Sequence, residues 1–218
     1  MHLILASTSP ARLALLRAAG IEPELVSPDV DEEAVAAQAN TNAGATLGAH
    51  EVVELLARAK AEAAAALRTG SGESDVSLIL GGDSVFVLDD VIYGKPHSAE
   101  KARERWQLQR GRTGMLYSGH WLIEVVAGVP GRAVGAVAVA EVSFADDITD
   151  AELDAYIDTG EPLFVAGAFT IDSLGAPFIT RIVGDPSTVV GLSLPTLRRL
   201  VSGLGHHWPD LWNRRGAL

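Results

Sequence analysis

Cysteine is absent from the 218 residues of this chain. A disulfide framework and a thiolate metal site are therefore excluded, and this composition fits a reducing cytoplasm. Basic residues are also few, since 17 lysines and arginines stand against 28 aspartates and glutamates, a formal net charge of −11. A general nucleic-acid binder needs a basic face, so we expect no nucleic-acid partner. A small anionic ligand stays compatible, because a few converging cations outweigh the mean charge locally.

Long hydrophobic runs and phosphate-loop glycines are missing as well. The apolar N-terminal stretch is only a few residues long and lacks a basic leader, so we expect neither a signal peptide nor a membrane contact. No Walker-type glycine-lysine loop occurs, which excludes P-loop chemistry. The length, with 48% hydrophobic and 21% charged residues, suits one large α/β domain or two closely packed lobes.

Strand and helix patterns alternate irregularly and include hairpins, which predicts a mixed twisted sheet flanked by helices, an α/β fold. Leu3 to Ala6 is predicted to form a short buried strand. Ser9 is placed to cap the helix that follows, with Pro10 at its first position. Thr149 and Glu152 have the spacing of a capping box.

The middle of the chain predicts further elements. Strong helix formers run from Glu51 to Gly70, and another helix is expected between Ser98 and Gly111. The stretch "AAQANTNAGATLGAH" is small, polar and rich in Gly and Asn, so we interpret it as a surface excursion. In "SLILGGDSVFVLDDVIYGKP", the Gly-Gly-Asp segment is interpreted as a break that places Asp83 immediately after a buried strand.

The stretch "LILASTSPARLALLRAAG" puts Arg12 in the first turn of a helix, where the macrodipole opposes a positive charge. Such an arginine calls for a negative group nearby. Ser7, Thr8, Ser9 and the free helix amides are donors for a phosphate or carboxylate, and Arg12 could add a forked contact. The alternative is an ordinary strand-to-helix turn with Arg12 in solvent.

Four further side chains could carry chemistry, each with a plainer alternative. Asp83 could bind a divalent metal or activate a water, or else cap a turn. Glu32, in the acidic run of residues 31–33, offers a hard oxygen ligand for Mg²⁺ or is simply solvated. Lys95 lies in a rigid "GKP" loop suited to phosphate, and Lys60 lies in an Ala-rich helix; solvent exposure is the alternative for both.

The order of these motifs is specific. "LILASTSPARLALL", "PDVDE", "LARAKA", "GGDSVFVLDDVIYGKP", "GRTGMLYSG", "GEPLFVAGAF" and "DPSTVVGLSLP" together resemble the Maf family of nucleotide pyrophosphatases, from about Leu3 to Leu200. The Asn/Gly-rich insert near residues 38–50 and the C-terminal tail, about residues 205–218, fall outside the resemblance. We therefore expect residues 1–218 to form a single domain of two lobes.

The resemblance implies a two-lobed α/β fold with a central cleft, related to inosine triphosphate pyrophosphatases. It implies cleavage of nucleoside triphosphates between the α and β phosphates, giving a nucleoside monophosphate and pyrophosphate. The divalent cation would be Mg²⁺ or Mn²⁺, and a homodimer and a cytoplasmic location are further expectations. A house-cleaning role, clearing unwanted or modified nucleotides, is compatible with this chemistry.

The family pattern also implies roles for individual residues. Asp83 matches the proposed proton acceptor and, with Glu32, would hold the metal. Three cations would neutralise the polyphosphate and the charge developing in the transition state. The matching positions in this sequence are Ser7 and Arg12 of the first motif, Glu32, Lys60, Asp83 and Lys95.

Departures from the family concern the base rather than the reaction. Branches that prefer dTTP and UTP have a second arginine in place of Ala11, a threonine in place of Ser84 and a glutamine in place of Asp172. An ionised carboxylate only accepts hydrogen bonds, so Asp172 would favour an amino group of cytosine or of a modified guanine. Alternatively, Asp172 is structural and points away from the base.

Two other functions compete with the pyrophosphatase. A nucleotide-binding regulator of septum formation and cell division would bind without significant turnover. A phosphatase would release phosphate groups one at a time. The presence of Glu32, Lys60, Asp83 and Lys95 favours catalysis, because a binding module needs no metal-and-base pair.

Overall fold

A computed structural model describes residues 1–68 and 76–214 of the chain as an α/β fold. The strands are β1 (His2–Ala6), β2 (Glu24–Val26), β3 (Val76–Leu88), β4 (Val91–Tyr93), β5 (Thr113–Val126), β6 (Val129–Phe144) and β7 (Ile179–Val183). The α-helices are α1 (Pro10–Ala18), α2 (Glu32–Ala43), α3 (Ala49–Arg68), α4 (Ala99–Gln109), α5 (Asp150–Asp158), α6 (Pro186–Val190) and α7 (Leu194–Gly203). Four short 3₁₀ helices cover Glu161–Phe164, Ala166–Ala168, Ala176–Phe178 and Trp208–Leu211.

The predicted mixed sheet is confirmed. Its strands follow the order β2-β1-β3-β5-β6-β7, with β4 paired to β3. β1 is parallel to both β2 and β3, whereas β3 with β4 and β6 with β7 are antiparallel. Ala6 pairs with Gly81 in the parallel register. The chain that leaves β1 therefore starts beside the segment of β3 that contains Asp83.

The helix ends follow the predicted local chemistry. The Ser9 hydroxyl accepts a hydrogen bond from the Arg12 N–H, with Pro10 in the first turn of α1, and Ser98 caps α4 in the same way. The capping box of Thr149 and Glu152 forms both of its hydrogen bonds. The predicted end of α3 at Gly70 lies outside the described residues.

Two interpretations of the sequence are wrong. Residues 36–43 lie at the surface as expected, but they are not irregular: they form the last eight of the twelve residues of α2, whose C-cap, Gly44, has a left-handed φ of 66°. The Gly-Gly-Asp segment does not interrupt the strand, because β3 continues through Gly81, Gly82 and Asp83. The reason is packing: a Cβ on Gly81 would lie 2.0 Å from the Ala57 carbonyl oxygen of α3, so glycine is needed for close approach.

The chain divides into two compact units. The first unit is assigned residues 1–83, 118–138 and 191–218. The second unit is assigned residues 84–117 and 139–190. Buried leucines from β1, α1, β3 and α7 form a core of the first unit. A second cluster, built around Trp106, Phe86 and Phe144, fills the second unit. The expectation of a single two-lobed domain stays a prediction.

Within the described ranges, no helix combines the length and apolar character needed to cross a membrane. α3 is the longest of these helices at 20 residues, and it carries charged side chains along its length.

Candidate active site

Arg12 is buried at the start of α1, with 8% of its surface exposed. Its Nε–H donates to the Gly191 carbonyl at 2.8 Å and its NH1 donates to the Ser7 hydroxyl at 3.1 Å. A Cβ at Gly82 would lie 3.2 Å from the Arg12 Nε, so the bare glycine leaves room for the guanidinium. The alternative of an arginine in solvent is therefore wrong.

The negative groups expected near Arg12 are Asp83 on β3 and Glu32 on α2. Burial lowers the pKa of Arg12 from its usual value, while the charges of Asp83 and Glu32 act in the opposite direction. These carboxylates offset the unfavourable macrodipole of α1. A cation at this position is thus supported by the protein's own charges.

Lys60 joins the two carboxylates. Its Nζ donates to Asp83 Oδ1 at 2.7 Å and lies 2.8 Å from Glu32 Oε1, and only 12% of the side chain is exposed. The alternative of a solvent-exposed Lys60 is wrong, because α3 turns this position towards β3. The close approach of α3 at Gly81, two residues before Asp83, makes the short contact possible.

Asp83 is a strand residue and not a turn cap. Burial raises the pKa of Asp83, and the nearby positive charges of Lys60 and Arg12 oppose that rise without cancelling it. A carboxyl with a raised pKa is a better proton acceptor at neutral pH than an ordinary aspartate. This property agrees with the role that the resemblance implies, which stays a prediction.

The acidic run of residues 31–33 splits into different structural roles. Asp31 caps α2, since its carboxylate accepts the Ala34 N–H at 2.9 Å. Glu32, in the first turn, keeps about half of its side chain exposed while it pairs with Lys60. Glu32 therefore links the Lys60–Asp83 pair to solvent, so a ligand could reach it there.

Ser7 and Ser9 already have hydrogen bonds within the protein. The Ser7 hydroxyl accepts from the Ser9 N–H at 3.2 Å and from Arg12, while the Ser9 hydroxyl caps α1. Ala11 is half-buried in the first turn of α1. Binding of phosphate by Ser7 and Ser9, and the influence of Ala11 on the base, stay predictions.

The first unit therefore brings together six of the predicted residues: Ser7, Ser9, Arg12, Glu32, Lys60 and Asp83. Lys95, Ser84 and Asp172 belong to the second unit. Lys95 is exposed, and the carbonyl of the preceding Gly94 accepts hydrogen bonds from the Arg105 guanidinium and the Gly167 N–H.

Glu161, in the second unit, accepts several hydrogen bonds from residues 170–175, a role that the sequence does not predict. Burial by itself would raise its pKa, but hydrogen bonds from the surrounding donors lower the pKa below its usual value. These donors are the hydroxyls of Thr170 and Ser173 and the N–H groups of Leu174 and Gly175. The Tyr156 hydroxyl donates to the same carboxylate. Glu161 thereby fixes the segment that carries the exposed Asp172. The only signal was its place in the "GEPLFV" motif.

The class that the fold and site define is an α/β protein in which an arginine, a lysine and two carboxylates meet beside the start of a helix that follows a parallel strand. Comparison with known proteins is more specific, because a family model described as Maf-like protein matches residues 2–204. The chain belongs to this family.

Curated relatives agree with the family match. A nucleoside triphosphate pyrophosphatase of Leifsonia xyli subsp. xyli is 62% identical over 217 residues, covering 100% of this chain and 99% of the relative. Proteins of the same name from Salinispora tropica and Cutibacterium acnes are 48% and 46% identical, covering 98% and 96% of this chain and 88% and 94% of the relatives. The similarity thus extends over most of the length of each chain.

Proposed function

We propose that this protein is a nucleoside triphosphate pyrophosphatase that hydrolyses the α–β phosphate bond to a nucleoside monophosphate and pyrophosphate. The observation that carries the proposal is the buried Asp83, whose raised pKa and contact with Lys60 suit a proton acceptor beside a cationic site. The name of the relatives, at up to 62% identity, supports the same reaction.

In this mechanism, a water oxygen attacks the α-phosphorus while Asp83 accepts the water proton. The bond from that phosphorus to the bridging oxygen breaks, and pyrophosphate leaves. Arg12 would bind the phosphate oxygens of the substrate, and Lys60 would balance the charge that develops on them in the transition state. The family resemblance implies the same role for Lys95 of the "GKP" loop. No covalent enzyme intermediate is required.

A divalent cation is part of the proposal, and the chemistry of the donors suits one. Glu32 and Asp83 supply two carboxylates that share Lys60, and no group of three or more acidic, histidine or cysteine ligands occurs among the described residues. Mg²⁺ is commonly held by one or two carboxylates, with water and substrate phosphates completing its shell. Glu32 and Asp83 would hold such an ion. Bound there, it would supply charge neutralisation and polarise a water.

A product analysis tests the reaction. The protein is incubated with a panel of nucleoside triphosphates and Mg²⁺ or Mn²⁺, and the products are separated by anion exchange. We expect monophosphate and pyrophosphate in equal amounts. Stepwise release of orthophosphate would replace the proposal by a phosphatase, and binding without turnover would replace it by the nucleotide-binding regulator of cell division.

The base preference is a separate part of the proposal, and it depends on Asp172. If its carboxylate accepts an amino group of cytosine or a modified guanine, Asp172→Gln should raise the kcat/KM ratio of UTP to CTP by about tenfold, since an amide both donates and accepts. Steady-state kinetics on the nucleotide panel give this ratio. An unchanged ratio would favour the structural alternative, and strong dTTP or UTP selectivity of the unaltered protein would contradict the preference.

A cytoplasmic location, a homodimer and the clearing of unwanted nucleotides stay predictions attached to this function. Each follows from the family resemblance.

A further inference from the structure

His120 is a fully buried histidine on β5 whose two ring nitrogens both face backbone groups. The Ser193 N–H donates to its Nε2 at 2.8 Å, and its Nδ1 lies 3.3 Å from the Ala136 carbonyl oxygen. Since a backbone N–H can only donate, Nε2 must be unprotonated. The neutral ring therefore carries its hydrogen on Nδ1, directed at Ala136.

The segment bound by His120 is the connection between α6 and α7. Gly191 has a φ of 113°, Leu192 is fully buried, and Ser193 caps α7 by accepting the Thr196 N–H at 3.2 Å. The cap fixes this segment to α7, and the His120 bond fixes it to the sheet. Its position in the first unit is thus held from two sides.

The same segment holds Arg12. The Gly191 carbonyl, two residues before Ser193, accepts the Arg12 Nε–H at 2.8 Å in a buried setting. This bond orients the plane of the guanidinium, whose NH1 also reaches Ser7. A shift of the Gly191 carbonyl would therefore change the direction of the charge that Arg12 presents.

We propose that His120 is a positioning residue for Arg12, because it fixes the 191–193 segment whose carbonyl orients the guanidinium. The inference deepens the proposed function and rests on it for the kinetic consequence. The positioning of Arg12 itself can be measured without turnover.

His120→Leu tests the proposal. Leucine is apolar and has no acceptor, so the buried Ser193 N–H loses its partner and the segment must move to regain one. We expect the Arg12 Nε–H, observed by ¹⁵N NMR and assigned by its loss in Arg12→Lys, to lose its protection from hydrogen exchange. We also expect KM for the triphosphate to rise about tenfold, with kcat changing less than threefold.

His120→Gln is the conservative counterpart. Its side-chain oxygen can accept the Ser193 N–H and its amide can donate to the Ala136 carbonyl, so Arg12 protection and KM should stay within threefold of the unaltered protein. If His120→Leu fails to fold, this variant still decides the question. A folded His120→Gln with an unprotected Arg12 Nε–H would overturn the proposal.

Two controls separate positioning from general destabilisation. Leu204→Ala removes a buried side chain from the core of the first unit, to which Leu192 of the 191–193 segment also belongs. This variant should have a lower melting temperature and an unchanged KM. In an Arg12→Lys background, His120→Leu should raise KM no further, because both changes act through one group. An equal KM rise in either control would contradict the inference.

The NMR result distinguishes the two proposals. Unchanged protection of Arg12 in His120→Leu overturns the positioning role, whatever the turnover. Absence of turnover in the unaltered protein overturns the proposed function, whereas the Arg12 exchange data still report whether His120 fixes the guanidinium.

Discussion

Replacement of Asp83 by asparagine is expected to abolish turnover and to make the fold more stable at neutral pH. Asparagine keeps the shape and can still accept the Lys60 hydrogen bond, but it cannot take a proton from water. Loss of a general base costs about 10²- to 10⁴-fold in kcat. Burial raises the pKa of Asp83, which means that its charged form is less favourable in the folded protein than in the unfolded chain. The substitution removes that charge, and the fold gains stability as a result.

The pH dependence follows from the direction of that shift. The pKa of Asp83 is higher in the folded protein than in the unfolded chain, chiefly because of burial. The folded state therefore holds its proton to higher pH, and the unfolding free energy falls as the pH rises through the folded pKa. At a pH below the unfolded value, both states are protonated and the penalty is absent. The stability difference between Asp83→Asn and the unaltered protein should thus shrink as the pH is lowered.

Thermal unfolding at several pH values, together with kcat, measures both effects. Asp147→Asn, a matched change at an exposed position, should alter neither quantity. A fully active Asp83→Asn would remove Asp83 from its proposed role. A variant less stable than the unaltered protein at pH 7 would show that the Lys60 and Arg12 attractions outweigh burial.

Local chemistry made the starts of α1, α4 and α5 predictable from the sequence. Ser9, Ser98 and Thr149 cap their helices through atoms three residues away or fewer, so the pattern in the chain contains the interaction itself. The mixed sheet was also predictable, since it depends on the alternation of apolar strands and helices along the chain.

Long-range packing decided the features that the sequence left open or predicted wrongly. Gly81 and Gly82 were predicted to interrupt the strand, because glycine weakens a strand considered by itself. In the fold, Gly81 leaves space for α3 to approach β3, and Gly82 leaves space for the Arg12 side chain. Arg12 itself depends on a carbonyl 179 residues further along the chain. Such an acceptor is a backbone group without a side-chain signature, so only the fold reveals it.

The contact between α3 and β3 carries both stability and the geometry of the site. A Cβ at Gly81 would lie 2.0 Å from the Ala57 carbonyl oxygen and 2.8 Å from the Ala61 nitrogen. Gly119 on β5 makes a similar approach, with the Val53 carbonyl oxygen 2.2 Å from an added Cβ. Both neighbours are backbone atoms, so no side-chain rotation can relieve the overlap. Accommodation requires α3 to move away from the sheet.

Gly81→Ala is therefore expected to cost about 3 kcal/mol of unfolding free energy, at the upper end of overpacking effects. For a chain of this length that corresponds to a fall in melting temperature of about 6–12 °C. Displacement of α3 also lengthens the Lys60–Asp83 contact, so kcat measured well below the melting temperature should fall tenfold or more. Calorimetry and steady-state kinetics give the two quantities.

Gly203→Ala is the matched control, since no atom lies within 4 Å of its added Cβ and its φ is not left-handed. It lies in the last turn of α7, where alanine is favoured over glycine by up to about 1 kcal/mol, so its melting temperature should be unchanged or slightly raised. If Gly81→Ala melted like this control, α3 would have room to spare on the sheet. The close approach of α3 at Gly81 would then not be what positions Lys60 beside Asp83.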